Sequence, residues 1–158
     1  MNTEVKEKIT ALEDRCTNVV LATINETGES LASQSPFVLD DDRNFLILVS
    51  KLAEHGRTLE RAREINVMLM EDESGLVNPF ARERLNYNCT VAELQRGSAE
   101  RAEGEKLLIA RFGKFVETLI SLPDFTMYRL SPVDGRYVAG FGAAYAIANG
   151  GITPLGGK

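Results

Sequence analysis

Between residues 18 and 50, two clusters of turn-forming residues, Glu26-Thr27-Gly28-Glu29 and Asp40-Asp41-Asp42-Arg43-Asn44, interrupt three short runs rich in β-branched and apolar residues. Segments this short cannot be helices of useful length. They predict three antiparallel strands joined by tight turns, Asn18 to Asn25, Ser30 to Leu39 and Phe45 to Val49. Pro36 lacks an amide donor, which places the second strand at an edge or makes it bulge there. This meander commits the chain to a sheet-based core, and the remaining elements are read around it.

Upstream, Val5, Ile9 and Leu12 fall at spacings of four and three in an otherwise charged segment, so residues 1–15 predict a short amphipathic helix serving as an arm or lid. Downstream, Leu52 to Arg63 is dense in helix formers with a weak point at Gly56, and Ile65 to Met70 reads as a buried strand. Arg82 to Leu94 alternates apolar and polar residues, the pattern of a long half-buried strand. Ser98 is a suitable N-cap for a helix with Glu100 and Glu103 near its positive end, broken at Gly113. Phe125 to Leu130 and Arg136 to Val138 predict two strands around a Ser131-Pro132-Val133-Asp134-Gly135 turn, followed by an apolar run to Ile147. Residues 148–158 read as a pliable Gly-rich tail.

The inventory of six or seven strands with inserted helices predicts one α+β, mainly β, domain over residues 1–158, built as an antiparallel barrel. Its 158 residues, 44% apolar and 26% charged, suit one globular domain. A net charge of −5 argues against nucleic acid or an anionic membrane as partner. Cys16 and Cys89 match no zinc spacing and read as reduced thiols. Together with the polar N-terminus and the lack of a long apolar span, they predict a cytoplasmic location.

Counting restricts the chemistry. His55 is the sole histidine, which excludes two-histidine metal sites, and no metal site is expected. The phosphate loop GxxxxGK[ST] does not occur, and Gly140-Phe141-Gly142 lacks the third glycine of the dinucleotide fingerprint. Ser50 to Thr58 gathers hydroxyls, cations and a histidine where a strand passes into a helix. There, backbone amides assisted by Ser50, Lys51, Arg57 or Thr58 could hold a phosphate or propionate. The competing structural reading pairs the cations with Glu54 and Glu60 and makes His55 a hydrogen-bonded structural residue. Arg82 and Arg84, two apart on a strand, could clamp an anion or form cross-strand ion pairs. Tyr87, Phe125, Tyr128 and Phe141 could stack on a flat cofactor or fill the core. No residue reads as a covalent nucleophile or general base, so the catalytic residues stay unassigned.

Several segments, in this order, resemble the split-barrel proteins related to pyridoxamine 5′-phosphate oxidase, and within them the HugZ/HutZ haem-utilisation branch. They are Ser35-Pro36-Phe37-Val38, Ser50 through Leu59, Met70-Glu71-Asp72-Glu73, Phe80 through Leu85, Arg111-Phe112-Gly113, Leu122-Pro123-Asp124-Phe125 and Gly135 through Tyr145. The resemblance implies a six-stranded antiparallel split barrel, a homodimer and a cofactor pocket between subunits. Most relatives hold FMN, with the phosphate in the region matching Ser50, His55, Arg57 and Thr58. This makes an FMN-binding oxidoreductase the first reading, although Glu54-His55 stands where pyridoxamine phosphate oxidases carry Arg-Lys and their substrate-recognition tail is missing. The alternative is haem binding with oxidative haem degradation. That branch places an iron-ligating histidine after the Gly-Phe-Gly motif, where this chain has no His, Cys, Met or Tyr beyond Gly150. A non-enzymatic cofactor carrier is the third reading. The Pro-Asp-Phe turn further suggests that Asp124 orients His55 across the dimer and raises its pKa.

Overall fold

The computed structural model describes residues 2–156. Helix α1 (Asn2–Arg15) leads into β1 (Asn18–Ile24), β2 (Ser30–Pro36), β3 (Val38–Leu39) and β4 (Phe45–Ser50). Helix α2 (Glu54–Arg61), β5 (Glu64–Met70), a single 3-10 turn at Pro79–Ala81 and β6 (Arg84–Leu94) follow. Helices α3 (Ala99–Phe112) and α4 (Phe115–Ser121) then precede β7 (Phe125–Gly140), β8 (Ala143–Ala148) and β9 (Gly151–Leu155). The fold is thus α+β and mainly β, with every strand pair antiparallel.

The nine strands among the described residues run in the order β2-β1-β5-β6-β7-β4-β3, with β8 on β7 and β9 on β8. Two single features help raise the count above the six or seven strands expected. Phe37 separates β3 from β2, and the Gly-rich end folds as β9 instead of hanging free. Asn149 and Gly150 both take positive φ, 51° and 75°, which is the two-residue mirror-image turn whose twist matches a hairpin. Gly157 and Lys158, part of the predicted tail, lie outside the described residues, as does Met1 of the predicted arm.

The predicted turn at 131–135 is absent, because β7 runs straight through it. Opposite Asn88 and Cys89 the register skips Val133, so the Pro-Val-Asp stretch is a bulge and not a reversal. The two halves of β7 serve different neighbours. Phe125 to Leu130 pair with β4, whereas Gly135 to Gly140 pair with β8.

Helix α1 is not a detached arm. Val5, Ile9 and Leu12 are buried in the main core with Val19, Leu21, Phe45, Ile47 and Leu85. Strand β4 is apolar without alternation because both its faces are covered: Phe45, Ile47 and Val49 enter the main core, while Leu46 joins Val38, Leu108, Val116 and Met127 beneath α3 and α4. The cap at Ser98 forms as predicted, its hydroxyl accepting from the Arg101 amide at 3.1 Å, and Gly113 ends α3 with φ 89°.

Candidate functional site

The Ser50–Thr58 segment folds as a tight passage from β4 into α2, built around Ser50. The Ser50 hydroxyl donates to Asp124 Oδ2 at 2.7 Å and accepts from the Leu52 amide at 3.1 Å. The Lys51 amide donates to the Asp124 carbonyl at 2.7 Å, which ties the start of β7 to the same corner. Gly56 is not the weak point of the helix but the reason this corner closes. A Cβ added there would lie 2.1 Å from the Ser50 carbonyl oxygen, a separation no side chain tolerates.

The hydroxyls and cations proposed to grip an anion are differently committed. Thr58 is buried, and its Oγ1 donates to the Glu54 carbonyl one turn back at 3.0 Å. Lys51 Nζ lies 3.9 Å from Glu60, a long and exposed ion pair of the kind the ordinary structural reading expects. Arg57 lines a recess of about 220 Å³ between α2 and the β1–β2 turn, together with Glu26, Glu54 and Thr58. Glu26 is paired with Arg61 at 2.8 Å, which leaves Glu54 beside Arg57 and little net positive charge in the recess. Ala53 provides no side-chain cap and its carbonyl takes the Gly56 and Arg57 amides, so the Glu54 and His55 amides are the ones left for an acceptor.

His55 sits half-buried on α2, and burial pushes its pKa below the ordinary histidine value, favouring the neutral ring. Within the single chain the Asp124 carboxylate accepts from Ser50, and desolvation alone lowers the His55 pKa.

Arg82 and Arg84 do not form a clamp. Arg82 precedes β6, and its Nε and a terminal nitrogen donate to the Glu71 carbonyl at 2.9 and 2.8 Å. Arg84 donates to the Arg82 carbonyl at 3.0 Å. Both guanidinium groups therefore fasten the loop between β5 and β6, and neither makes the anticipated cross-strand ion pair. Of the four aromatics, Tyr87 and Tyr128 belong to the core, and Tyr87 donates to Glu13 Oε1 at 2.7 Å. Phe125 is partly buried where β7 begins. Phe141 alone is largely exposed, at 83% in the β7–β8 turn, and Phe80 on the 3-10 turn is similarly bare.

A polar cluster under α1 has no counterpart among the sequence motifs. Glu13 is buried and accepts from Tyr87 and from Arg43 Nε at 2.7 Å. Arg111, whose family-like motif was noted, spans elements by donating to the carbonyls of Phe37 at 3.1 Å and Cys16 at 2.5 Å. Among the described residues no group of His, Cys, Asp or Glu is arranged to hold a metal ion. Cys16 and Cys89 are free thiols. Burial raises the Cys89 thiol to about 12, which keeps it protonated and unreactive. No helix among the described residues is long and apolar enough to cross a membrane.

A sheet that parts along β7 and helices inserted at the strand ends describe a split-barrel class of protein. Residues 5–139 match the model of the pyridoxamine 5′-phosphate oxidase family, and the chain belongs to that family. Within it, the chain is 34% identical over 128 residues to the heme oxygenase HutZ of Vibrio cholerae serotype O1, covering 81% of this chain and 72% of HutZ. The crystal structure of HutZ, the heme storage protein from Vibrio cholerae, superposes with a TM-score of 0.76 at 29% identity, over 80% of this chain and 89% of that one. Campylobacter jejuni ChuZ gives a TM-score of 0.89, also at 29% identity, over 98% of this chain. The chain spans 63% of ChuZ. The resemblance to the HugZ/HutZ branch is thereby borne out.

Proposed function

We propose that this chain is a haem-utilisation protein of the HutZ kind, which binds haem and supports oxidative opening of its ring. The observation that carries the reading is the 34% identity with the heme oxygenase HutZ across 81% of the chain. The local chemistry supports it: a singly charged propionate needs one cation and an amide or two, which Lys51, Arg57 and the uncapped start of α2 supply. His55, held neutral by burial, is the side chain with a free lone pair suited to an iron, whereas the Cys89 thiol stays protonated. When bound, haem supplies the oxygen-activating iron, and the protein's part is to fix the ring, neutralise its acid groups and exclude bulk water. The exposed Phe141 is an aromatic surface available to the flat ring. The working unit in this reading is a cytoplasmic homodimer with its pocket between subunits.

The second reading, an FMN-binding oxidoreductase, has the family match over residues 5–139 in its favour. Against it stands the internal commitment of Ser50 and Thr58.

Parallel absorption titrations of the purified protein with haemin and with FMN separate the readings. A haem Soret band that survives gel filtration, moves in His55→Ala and decays with ascorbate and oxygen supports haem degradation. Retained flavin bands with no Soret band overturn it in favour of the FMN reading. Haem that is retained but never degraded leaves a carrier.

A further inference from the structure

The ladder between β1 and β5 is unfinished. It joins only Val20 to Met68, Leu21 to Val67 and Ala22 to Asn66, although β1 continues to Ile24 and β5 begins at Glu64. Beyond Ala22 the strands part around a cleft of about 580 Å³, whose lining includes Thr23, Ile24, Leu31, Ala62, Glu64 and Ile65.

The direction of the main-chain groups in this gap follows from the neighbouring turns. The Asn25 amide donates to the Glu29 carbonyl at 2.9 Å, which makes that pair a hydrogen-bonded one within the β1–β2 hairpin. Because such pairs alternate along an antiparallel ladder, Thr23 faces β2, and Ala22 and Ile24 turn their N–H and C=O toward β5. On the other wall the Val91 amide donates to the Arg63 carbonyl at 2.9 Å, so Arg63 and Ile65 face β6 while Glu64 and Asn66 face β1. Ala22 and Asn66 meet as the last pair. Ile24 and Glu64, next in line, present a donor and an acceptor each into the cleft.

A third polar group lies behind its lining, on the buried face of β1. Thr23 is 4% exposed and lines the cleft, and its Oγ1 has no hydrogen-bond partner among the described residues. A buried hydroxyl left unpaired is costly, and a ligand atom reaching it from the cleft would relieve that cost. The remaining walls are mostly Ala, Leu and Ile, and the Glu64 carboxylate at the rim disfavours anions.

We propose that the cleft between the parted ends of β1 and β5 is a small-molecule site for a neutral, planar, mostly apolar heterocycle with a lactam edge. The adjacent N–H and C=O of the lactam complete the ladder positions vacated by β1 and β5, while the Thr23 hydroxyl bonds a further polar atom and the ring fills the apolar walls. The cleft shares no lining residue with the α2 recess, so the proposal does not depend on haem or FMN binding.

Amide NMR titration with carbostyril, a fluorescent lactam, tests it. Saturable shifts centred on the Ile24 and Glu64 amides are expected, with N-methylcarbostyril binding at least about tenfold more weakly because it lacks the donor. Thr23→Val, which keeps shape and removes the hydroxyl, should weaken binding by about fivefold. Ala32→Phe, a replacement at an exposed lining position, should fill the cleft and abolish binding. No shift up to the solubility limit, shifts centred elsewhere, or equal affinity for the N-methyl compound would overturn the proposal. Haemin titration of the same variants should be unchanged, so the two functional readings fail separately.

Discussion

His55 carries a definite pH signature. Its folded pKa is depressed by burial, so below the ordinary value of 6.5 the unfolded chain binds the proton more readily than the native one. Its contribution to stability is therefore complete above that value and is lost as pH falls through the window beneath it. The melting temperature should drop between pH 7.5 and 5.5, and His55→Gln should remove part of that slope. An identical slope in the variant would assign the effect to other groups. Gly56→Ala tests the corner next to it: a methyl placed 2.1 Å from the Ser50 carbonyl forces the backbone to move. We expect a loss of about 2 kcal/mol in urea denaturation, the usual cost of overpacking. Counting alone revealed His55 as the sole imidazole. The conflict at Gly56 was illegible, because helix propensity describes a residue against its own helix and not against a strand six residues earlier.

The elements most open to reading from sequence were those bounded by their own chemistry. The β1–β2 hairpin, the Asp40–Asn44 turn, the Ser98 cap and the Gly113 stop each consist of residues whose local preference agrees with the fold. β7 and β9 failed as expectations for opposite reasons. Ser-Pro-Val-Asp-Gly has every mark of a turn, yet long pairing with β6 overrides it and converts the surplus into a bulge at Val133. Asn149-Gly150 is a strong hairpin signal, obscured by the glycines on both sides of the last strand. Since Asn149 sits at φ 51°, Asn149→Ala should cost about 1 kcal/mol through left-handed strain. Faster hydrogen exchange at Ile152 and Thr153, with unchanged protection in β5, would register it. Of the candidate site, the strand-to-helix passage was legible. The uses of its side chains were not, since Ser50–Asp124 and Arg82–Glu71 are contacts between distant stretches.

At the scale of the molecule, α1 is integrated into the sheet core by both apolar and polar contacts. Glu13, Tyr87 and Arg43 join the helix to β6 and to the β3–β4 turn, while Arg15 pairs with Glu83, which also accepts from Tyr137 at 2.5 Å. Tyr87→Phe removes a single hydroxyl from this network and should cost about 1–2 kcal/mol, because Glu13 remains buried with one partner fewer. Chemical denaturation should show a lower midpoint with an unchanged slope. A change confined to the slope would instead place the effect in the unfolded chain.

Strand β4 also has a history in time. The longer of its two hydrogen-bonding partners, the first half of β7, is made 75–85 residues later. At a synthesis rate of about 5–20 residues per second, FLILVS spends roughly 4–16 s outside the ribosome's active centre without that partner. During this interval the edge of β4 opposite β3 is an unpaired template for another nascent copy or a ribosome-associated chaperone.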